Sequence, residues 1–298
     1  MRFGIDLGGT KIEIAVIDEG GSIVVRRRVP TPQGRYRATL EAIASLVSDV
    51  ETEFGRAANV GIGIPGAISP SSQCVKNANS TVLNGKPLHL DLETTLGRTL
   101  RFANDANCLA LSEANGGAGA GATLLFAAIL GTGAGGGVAA GGTPWEGRNA
   151  IAGEWGHNPL PWPHDGERPG PACYCGKHGC LETFLSGPSL ARAYRDAGGA
   201  AVDTQELVAR ADAGETLAES VLRTYEDRLA RGLATVANLL DPDVIVLGGG
   251  LSNVTRLYAN VAAAMRSYVF SDRFDTPIVP ARFGDSSGVR GAAMLWPP

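Results

Sequence analysis

Apolar and polar residues alternate along the first thirty positions in the pattern of three consecutive strands. The apolar runs Phe3–Leu7, Ile12–Ile17 and Ile23–Val29 are separated by short turns rich in glycine and acidic residues, a pattern typical of hairpins. Apolar residues then recur at helical spacing over Leu40–Phe54, which predicts an amphipathic helix. The apolar run Asn59–Ile64 stops at a Pro-Gly pair and predicts a short buried strand.

The opening pattern recurs in the second half of the chain. Leu124–Leu130 runs into the turn at 131–133, and a strand of small residues, Gly135–Ala140, follows it. These strand–turn–strand units begin about 124 residues apart, and such self-similarity predicts a duplicated α/β domain. We assign residues 1–115 and 286–298 to an N-terminal domain and 116–285 to a C-terminal domain, with a hinge at Gly116–Gly121 and a terminal helix at Gly291–Leu295 that returns to the first domain.

The rest of the second half alternates between loops, helices and strands. Residues up to Cys180 are loop-rich, and a helical block extends from there to about Asp241. An apolar strand at Val244–Leu247 precedes a helix that ends near Tyr268, and Ile278–Phe283 is a predicted final strand.

Glycine is the compositional outlier, with 41 of 298 residues, 14 of them between Gly116 and Gly156. Because 44% of the residues are hydrophobic, the chain can form a core, and clustered glycine indicates backbone that turns sharply or approaches a ligand closely. The 26 basic and 30 acidic residues give a net charge of −4, so we expect no nucleic-acid-binding surface. No apolar run approaches the ~20 residues of a membrane span.

Three glycine-rich loops follow apolar strands, and the first two are candidate phosphate sites, because glycine lets backbone N–H groups face an anion. Asp6 at the end of the first strand has the chemistry to hold the water shell of Mg²⁺. An ordinary hairpin turn remains an alternative for the first loop and a flexible linker for the second, while the third suits a base or ribose. The loop residues are Gly8, Gly9, Thr10 and Lys11; Gly131, Thr132, Gly133, Gly135, Gly136 and Gly137; and Gly248, Gly249 and Gly250.

Asn104 and Asp105 follow a short apolar strand and precede a predicted helix. Ligands of open α/β sheets bind at such strand ends, and a carboxylate there can accept the proton of a hydroxyl that attacks phosphorus. The alternative is that Asp105 is simply the N-cap of the helix.

Cys173, Cys175 and Cys180 lie close together and share the region with His157. One imidazole and three thiolates form a typical closed, structural zinc set, with His178 as a competing ligand and 157–180 as the zinc loop. Clustered thiols favour a metal in a reducing cytoplasm over disulfides, and Asp6 interrupts the first apolar stretch too early for a signal peptide. Glu154 and Glu182 flank this set and are either carboxylates that face a polyol or ordinary surface residues.

Together these motifs resemble the ROK family of bacterial sugar kinases, within the actin/hexokinase/heat-shock ATPase superfamily. The resemblance covers essentially the whole chain. It rests on the segments at 6–11, 63–66, 104–107, 131–137, 153–157, 175–182 and 241–250. It implies an α/β fold of two RNase-H-like domains around a cleft that holds ATP and Mg²⁺, with a zinc-binding loop.

The resemblance also implies roles for individual residues. Asp105 would be the catalytic base, and the 4–11 and 133–140 stretches, including Gly4, would hold the nucleotide phosphates. Zinc would be bound by His157, Cys173, Cys175 and Cys180. The sugar hydroxyls would be bound by Gly66, Asn104, Asp105, Glu154, His157 and Glu182.

Segments at 75–81, 158–162, 182–184 and 285–290 resemble the fructokinase (mannofructokinase) branch, which implies an ATP-dependent kinase that converts D-fructose to fructose 6-phosphate. N-acetylglucosamine kinase and glucokinase of the same family are the alternatives, and a sugar sensor without turnover is the alternative of another class. Family repressors carry a DNA-binding segment before the kinase frame, whereas here the frame starts at Phe3, so we expect no such function. A cytoplasmic location and a homodimer are family-level expectations.

Overall fold

The computed structural model describes residues 1–55 and 58–297. The contacts within the chain divide it into two compact units. Unit 1 comprises Met1–Ala120, Gly137–Ala152 and the C-terminal segment from Asp285, and unit 2 comprises Gly121–Gly136 and Gly153–Gly284. None of the helices that the described residues form is long and apolar enough to cross a membrane.

The elements follow the α/β pattern that the hydrophobic periodicity predicts. The strands are β1 Arg2–Leu7, β2 Lys11–Ile17, β3 Ile23–Pro30, β4 Asn59–Ile64, β5 Ala67–Ile68, β6 Val75–Lys76, β7 Arg101–Asn104, β8 Leu124–Leu130, β9 Ala134–Ala140, β10 Thr143–Pro144, β11 Val244–Gly248 and β12 Ile278–Pro280. The helices are α1 Tyr36–Phe54, α2 Leu88–Leu96, α3 Asp105–Ala114, α4 Glu182–Leu185, α5 Gly187–Asp196, α6 Thr204–Asp212, α7 Thr216–Leu240, α8 Arg256–Met265 and α9 Ser287–Met294.

The sheet of unit 1 has the order β3-β2-β1-β4-β7. The first three strands are antiparallel, as the hairpin pattern predicts, whereas β4 and β7 run parallel to β1. Asp6 pairs with Gly63 across β1 and β4, and Ile64 pairs with Asn104 across β4 and β7. The carboxyl ends of three strands therefore meet at one edge of the sheet, where ligands of such sheets bind.

Helix α9 packs on the sheet of unit 1, as predicted, although it begins at Ser287 rather than at Gly291. The contact is possible only because glycines remove side chains from it. A Cβ on Gly4 would lie 2.0 Å from the carbonyl oxygen of Val289, and one on Gly61 would lie 1.9 Å from that of Ala292. Packing against α9 therefore accounts for Gly4, which lies inside β1 rather than in the loop that follows it.

The second sheet has the order β10-β9-β8-β11-β12, with β8, β11 and β12 parallel. The last strand ends at Pro280, before the predicted Phe283. The chain passes from unit 2 to unit 1 within β9, so residues 137–152 group with unit 1, although we assigned all of 116–285 to one domain. The reason is close backbone packing, since a Cβ on Gly137 would lie 2.3 Å from the carbonyl oxygen of Ala106 in α3.

The proline-rich loop at 158–172 is held to α7 by a buried carboxylate. The Glu167 carboxylate accepts hydrogen bonds from both Nη atoms of Arg231, at 2.9 and 3.0 Å, and from the Nε of Arg228 at 2.7 Å. Arg231 is completely buried and also donates to the carbonyl oxygens of Pro161 and Trp162. Burial acts to raise the pKa of Glu167, but the hydrogen bonds from Arg231 and Arg228 outweigh it and lower that pKa to about 2.

Candidate functional site

The candidate base, Asp105, is the first residue of α3 and is half-buried. The N-cap is Asn104 rather than Asp105, because the Asn104 side chain accepts from the backbone N–H of Ala106 at 2.8 Å. Asp105 Oδ1 accepts from the same N–H, also at 2.8 Å. A carboxylate in the first turn of a helix is stabilised by the helix dipole, so the fold holds Asp105 in a fixed, anion-favouring position.

Asn104 also fixes the turn that follows β4. Its Nδ2 donates to the carbonyl oxygen of Gly66 at 3.0 Å. Gly66 has φ +70°, and a Cβ there would lie 2.2 Å from the carbonyl oxygen of Lys76, so only glycine fits. The structure thus brings together the three candidate sugar residues of unit 1, Gly66, Asn104 and Asp105.

The first glycine loop is a tight turn between β1 and β2. Gly8 donates its N–H to the carbonyl oxygen of Lys11 at 2.9 Å, and Gly9 and Thr10 are exposed. The Lys11 Nζ lies 3.9 Å from the carboxylate of Glu13, a buried acid that also pairs with Arg26 and Arg28. Gly9 and Thr10 are therefore exposed at the tip of this turn, where the carbonyl oxygen of Thr10 accepts from the N–H of Thr31 at 3.0 Å. A phosphate contact at this turn stays a prediction.

Asp6 is the acid that we predicted beside the metal of the nucleotide. It lies at the end of β1, where burial raises its pKa to about 6, with the charge of Glu13 acting in the same direction. Lys11 and Arg28 act in the opposite direction. A buried carboxylate whose negative charge is only partly balanced by neighbouring cations is strongly stabilised by a divalent cation nearby. The chemistry of this position therefore fits Mg²⁺ held through water.

A cavity of about 760 Å³ lies in unit 2 beside the second and third glycine loops. Gly131 and Thr132 line it from one loop and Gly250 from the other, and its volume falls within the ~300–1,000 Å³ of ligand pockets. Part of its wall was missed by sequence reasoning. The sequence signals that could have located it were the Gly-Pro start of α5 and the Asp203 N-cap of α6. That part of the wall comprises Gly187, Pro188, Ala191, Asp203, Thr204, Gln205 and Val208.

Glu182, a candidate sugar residue, is tied to the second glycine loop. Its Oε2 accepts from the backbone N–H of Ala134 at 3.0 Å, and a Cβ on Gly133 would lie 2.5 Å from the same oxygen. Gly133 is therefore required for this contact. Glu154 is half-buried and directly precedes the short 3₁₀ turn Trp155–His157.

Side-chain packing against Trp155 also explains the glycines at the start of β9. The indole Nε1 of Trp155 donates to the carbonyl oxygen of Gly135 at 2.8 Å, and a Cβ on Gly136 would lie 2.7 Å from the Trp155 ring. Gly249 has a φ of +81°, a left-handed backbone conformation that glycine adopts without steric cost. A phosphate contact at the glycines of β9 and at 248–250 stays a prediction.

The predicted zinc ligands converge within unit 2. The donor atoms of His157, Cys173, Cys175 and Cys180 all lie within 4.8 Å of one another. The Cys173 Sγ is 3.5 Å from the His157 Nδ1, and the Cys175 Sγ is 3.6 Å from the Cys180 Sγ. Tetrahedral zinc with bonds of ~2.3 Å to sulfur and ~2.0 Å to nitrogen requires edges of about 3.5–3.8 Å, so the set fits this metal.

The second nitrogen of His157 also has a partner. Its Nε2 lies 2.9 Å from the hydroxyl of Tyr174, which is how proteins orient a metal-bound imidazole. His178, the competing ligand, is exposed and lies outside the cluster. The loop turns at Gly176 and Gly179, both with positive φ, so the structure supports a Cys₃His site.

Comparisons with known proteins agree with this architecture. The model of the ROK family matches residues 2–298. The N-acetyl-D-glucosamine kinases of Escherichia coli O9:H4 and Shigella flexneri are each 39% identical to this chain, over 99% of both sequences. The ROK hexokinase of Thermus thermophilus is 34% identical, with a TM-score of 0.86, over 99% of this chain and 97% of that one.

A ROK glucokinase of Streptomyces griseus, solved with glucose and AMPPNP, is 28% identical with a TM-score of 0.82, over 99% and 98% of the two chains. The chain therefore belongs to the ROK family, with an α/β fold of the ROK hexokinase type and two sheets. Its activity class is that of a sugar kinase. The predicted fructokinase branch is not confirmed, and the alternative, N-acetylglucosamine kinase, fits these relatives better.

Proposed function

We propose that this protein transfers the γ-phosphoryl group of ATP to the 6-hydroxyl of N-acetylglucosamine. The observation that carries this proposal is the 39% identity to N-acetyl-D-glucosamine kinases over 99% of the chain. The candidate base at the start of α3 and the nucleotide-sized cavity of unit 2 supply the chemistry that such a reaction needs.

Asp105 accepts the proton of the sugar hydroxyl while the hydroxyl oxygen attacks the γ-phosphorus. The bond from that phosphorus to the β,γ-bridging oxygen breaks, and ADP leaves. The first turn of α3 favours the ionised carboxylate before transfer. Asn104 and Gly66 hold further hydroxyls, and the hydrogen bond between them keeps both in place. General-base catalysis of this kind contributes roughly 10²–10⁴-fold to the rate.

The nucleotide binds in the cavity of unit 2, with its phosphates directed to the backbone N–H groups of the glycine loops. Mg²⁺, when bound, neutralises charge that develops on the β- and γ-phosphates. Asp6 would hold the hydrated ion, and Lys11 would add a positive charge to the same loop. Glu182 keeps the Gly133–Ala134 segment in position and offers its remaining lone pairs to the sugar.

The four ligands of the Cys₃His set hold zinc in a structural role. A closed set of four protein ligands has no free position for substrate, so the metal orders the loop that carries His157 and precedes Glu182. The Nδ1 of His157 lies beside the Cys173 Sγ, whereas its Nε2 lies 2.9 Å from the Tyr174 hydroxyl and stays a candidate contact for a sugar hydroxyl.

The test is a coupled assay of ADP release with N-acetylglucosamine, glucose, mannose and fructose. We expect the highest kcat/KM with N-acetylglucosamine. A preference for fructose would instead restore the fructokinase interpretation. Sugar binding without ADP release from any of the four would identify a sensor rather than a kinase. The Asp105→Ala variant should bind sugar and release no ADP.

A further inference from the structure

An aromatic side chain lies between two of the predicted zinc ligands. Tyr174 separates Cys173 from Cys175, and two backbone hydrogen bonds close the turn around it. The N–H of Cys173 donates to the carbonyl oxygen of Lys177 at 2.8 Å, and the N–H of Gly176 donates to that of Cys173 at 3.0 Å. Tyr174 is nevertheless 63% exposed. A large exposed side chain on a well-ordered loop adds little to the core and is available to a ligand.

The hydroxyl of Tyr174 is directed to His157. Its oxygen lies 2.9 Å from the His157 Nε2, and the two rings meet edge to face with 5.1 Å between their centroids. The Nδ1 of the same imidazole lies 3.5 Å from the Cys173 Sγ, on the side of the Cys₃His set. A neutral imidazole that binds a metal through Nδ1 carries its proton on Nε2, so Nε2 donates to the phenol oxygen. The phenol O–H is then available to another acceptor.

Two carboxylates that are candidate sugar residues act on this hydroxyl. Burial raises the pKa of Tyr174, and the negative charges of Glu182 and Glu154 act in the same direction. Both carboxylates therefore lie within electrostatic range of the phenol. Unit 2 thus groups Tyr174 with Glu154, His157 and Glu182, the three residues of this unit that the family resemblance assigns to sugar hydroxyls.

We propose that Tyr174 is a further sugar-binding residue, whose O–H donates to a hydroxyl on the ring of the substrate while His157 holds the phenol oxygen. The inference rests on the proposed function and extends its sugar site by one residue. His157 reaches the sugar through the phenol, and the two hydrogen bonds point the same way, from imidazole to phenol and from phenol to sugar. The Cys₃His set positions this pair, because it contains His157 and the cysteines on both sides of Tyr174.

The first test measures sugar affinity in Tyr174→Phe, which removes the hydroxyl and keeps the ring. We expect Kd from titration calorimetry and KM for N-acetylglucosamine to rise about five- to tenfold, the effect of one lost hydrogen bond. The KM for ATP should stay within about twofold of the wild-type value, and the zinc content should not change.

Tyr268→Phe is the matched control for this measurement. Tyr268 also belongs to unit 2 and donates its hydroxyl to a side chain, that of Asp227 at 2.6 Å, but it lies outside the Cys₃His set. The control should change neither sugar affinity nor zinc content. Unchanged or tighter sugar binding in Tyr174→Phe would overturn the proposal, and weaker zinc retention with normal sugar affinity would show that Tyr174 only orients His157 for the metal.

The second test identifies the hydroxyl that Tyr174 contacts. The 1-deoxy, 3-deoxy and 4-deoxy analogues of N-acetylglucosamine each lack one hydroxyl of the ring. One of them should bind the wild-type protein more weakly than N-acetylglucosamine does and lose nothing further in Tyr174→Phe, because the same contact is then absent from both partners. Additive losses with all three analogues would overturn the contact.

The outcome for Tyr174 can be separated from the outcome for the proposed function. If the wild-type protein phosphorylates glucose, mannose or fructose and not N-acetylglucosamine, the proposed function is wrong. The same two tests with the sugar that is phosphorylated, and with its deoxy analogues, then decide whether Tyr174 binds it.

Discussion

The Glu182 carboxylate accepts a hydrogen bond from the backbone N–H of Ala134 at 3.0 Å. One residue predicted to bind sugar is thereby joined to the loop predicted to bind phosphate, and both belong to unit 2. The contact depends on Gly133, since a Cβ there would lie 2.5 Å from the same carboxylate oxygen. Sugar and nucleotide affinities should therefore be coupled through this contact.

We expect Glu182→Ala to raise KM for both sugar and ATP, because the glycine loop loses the acceptor that orders it. A charge-assisted hydrogen bond is worth about 1.5–3 kcal/mol, which corresponds to roughly a tenfold or larger change. Glu182→Gln keeps an oxygen for Ala134 and should leave KM for ATP near the wild-type value. If Glu182→Ala raised only the KM for sugar, the carboxylate would have no part in ordering the loop.

Asp105→Asn separates chemistry from structure at the start of α3. Asn104 is the N-cap, so the helix keeps its cap and the variant should unfold at nearly the wild-type temperature. The rate should fall about 10²–10⁴-fold because no base accepts the hydroxyl proton, with little change in KM for the sugar. Steady-state kinetics and thermal unfolding measure the two quantities, and near-normal kcat would refute the role of Asp105 as base.

Periodicity and turn chemistry were sufficient to predict the strands β1–β4 and β8, the long helix α1 and the return of the C-terminal helix to the first unit. The period-2 and period-3.6 patterns depend only on neighbouring residues, so they predict strands and helices without knowledge of tertiary contacts. Residues 137–152 group with unit 1, whereas the sequence assigned them to the second domain. Their grouping depends on Gly137 meeting the backbone of Ala106, a contact between segments about thirty residues apart that no local pattern contains.

The residues of the candidate site also differ in whether a local pattern could predict them. The Cys₃His set and the strand-end residues Asp6 and Asp105 were recognisable because their chemistry depends on residue type and spacing. The wall of the large cavity formed by α5 and α6 was not, because Pro188 and Val208 have no reactive side chain and line it only through packing.

Zinc should be present at one ion per chain and should depend on Cys175. Metal analysis of Cys175→Ser is expected to show loss of the ion and a lower unfolding temperature, since a structural metal contributes directly to folding. Cys74→Ser is the matched control, because Cys74 is also half-buried but lies outside the Cys₃His set. Zinc retained by Cys175→Ser, or lost equally from both variants, would contradict the site.

The anchor of the 158–172 loop gives a prediction for stability. Glu167→Ala leaves Arg231 buried without its bidentate partner, and breaking a buried pair in this way costs roughly 3–5 kcal/mol. The pKa of Glu167 is lowered from 4.5 to about 2, so its stabilising contribution is complete above pH 4.5 and is lost as the pH falls toward 2. Urea denaturation at pH 7 and pH 3 should therefore show a smaller difference between variant and wild type at the lower pH.

Asp6 should link activity and stability to pH in opposite directions. Its pKa is raised from 3.8 to about 6, so the free enzyme loses the carboxylate that we propose for Mg²⁺ as the pH falls through 6, and kcat/KM should fall with it. The folded state binds this proton more tightly than the unfolded chain, so ionised Asp6 lowers the free energy of unfolding at pH 7. With 1.36 kcal/mol per pKa unit, Asp6→Asn should stabilise the fold by on the order of 1–3 kcal/mol at pH 7.

The same Asp6→Asn variant should be nearly inactive, and the gain in stability should shrink as the pH falls from 6 toward 4 and vanish below that, where the carboxyl is protonated in both states. Glu19→Gln is a suitable control because Glu19 is an exposed carboxylate in the turn after β2, so the same change in charge should alter neither property appreciably. Denaturation curves at pH 4, 5.5 and 7, recorded beside the pH profile of kcat/KM, test both effects. A stabilised but fully active Asp6→Asn protein would show that this carboxylate has no role with Mg²⁺, and an acid limb far from pH 6 would show that another group controls the profile.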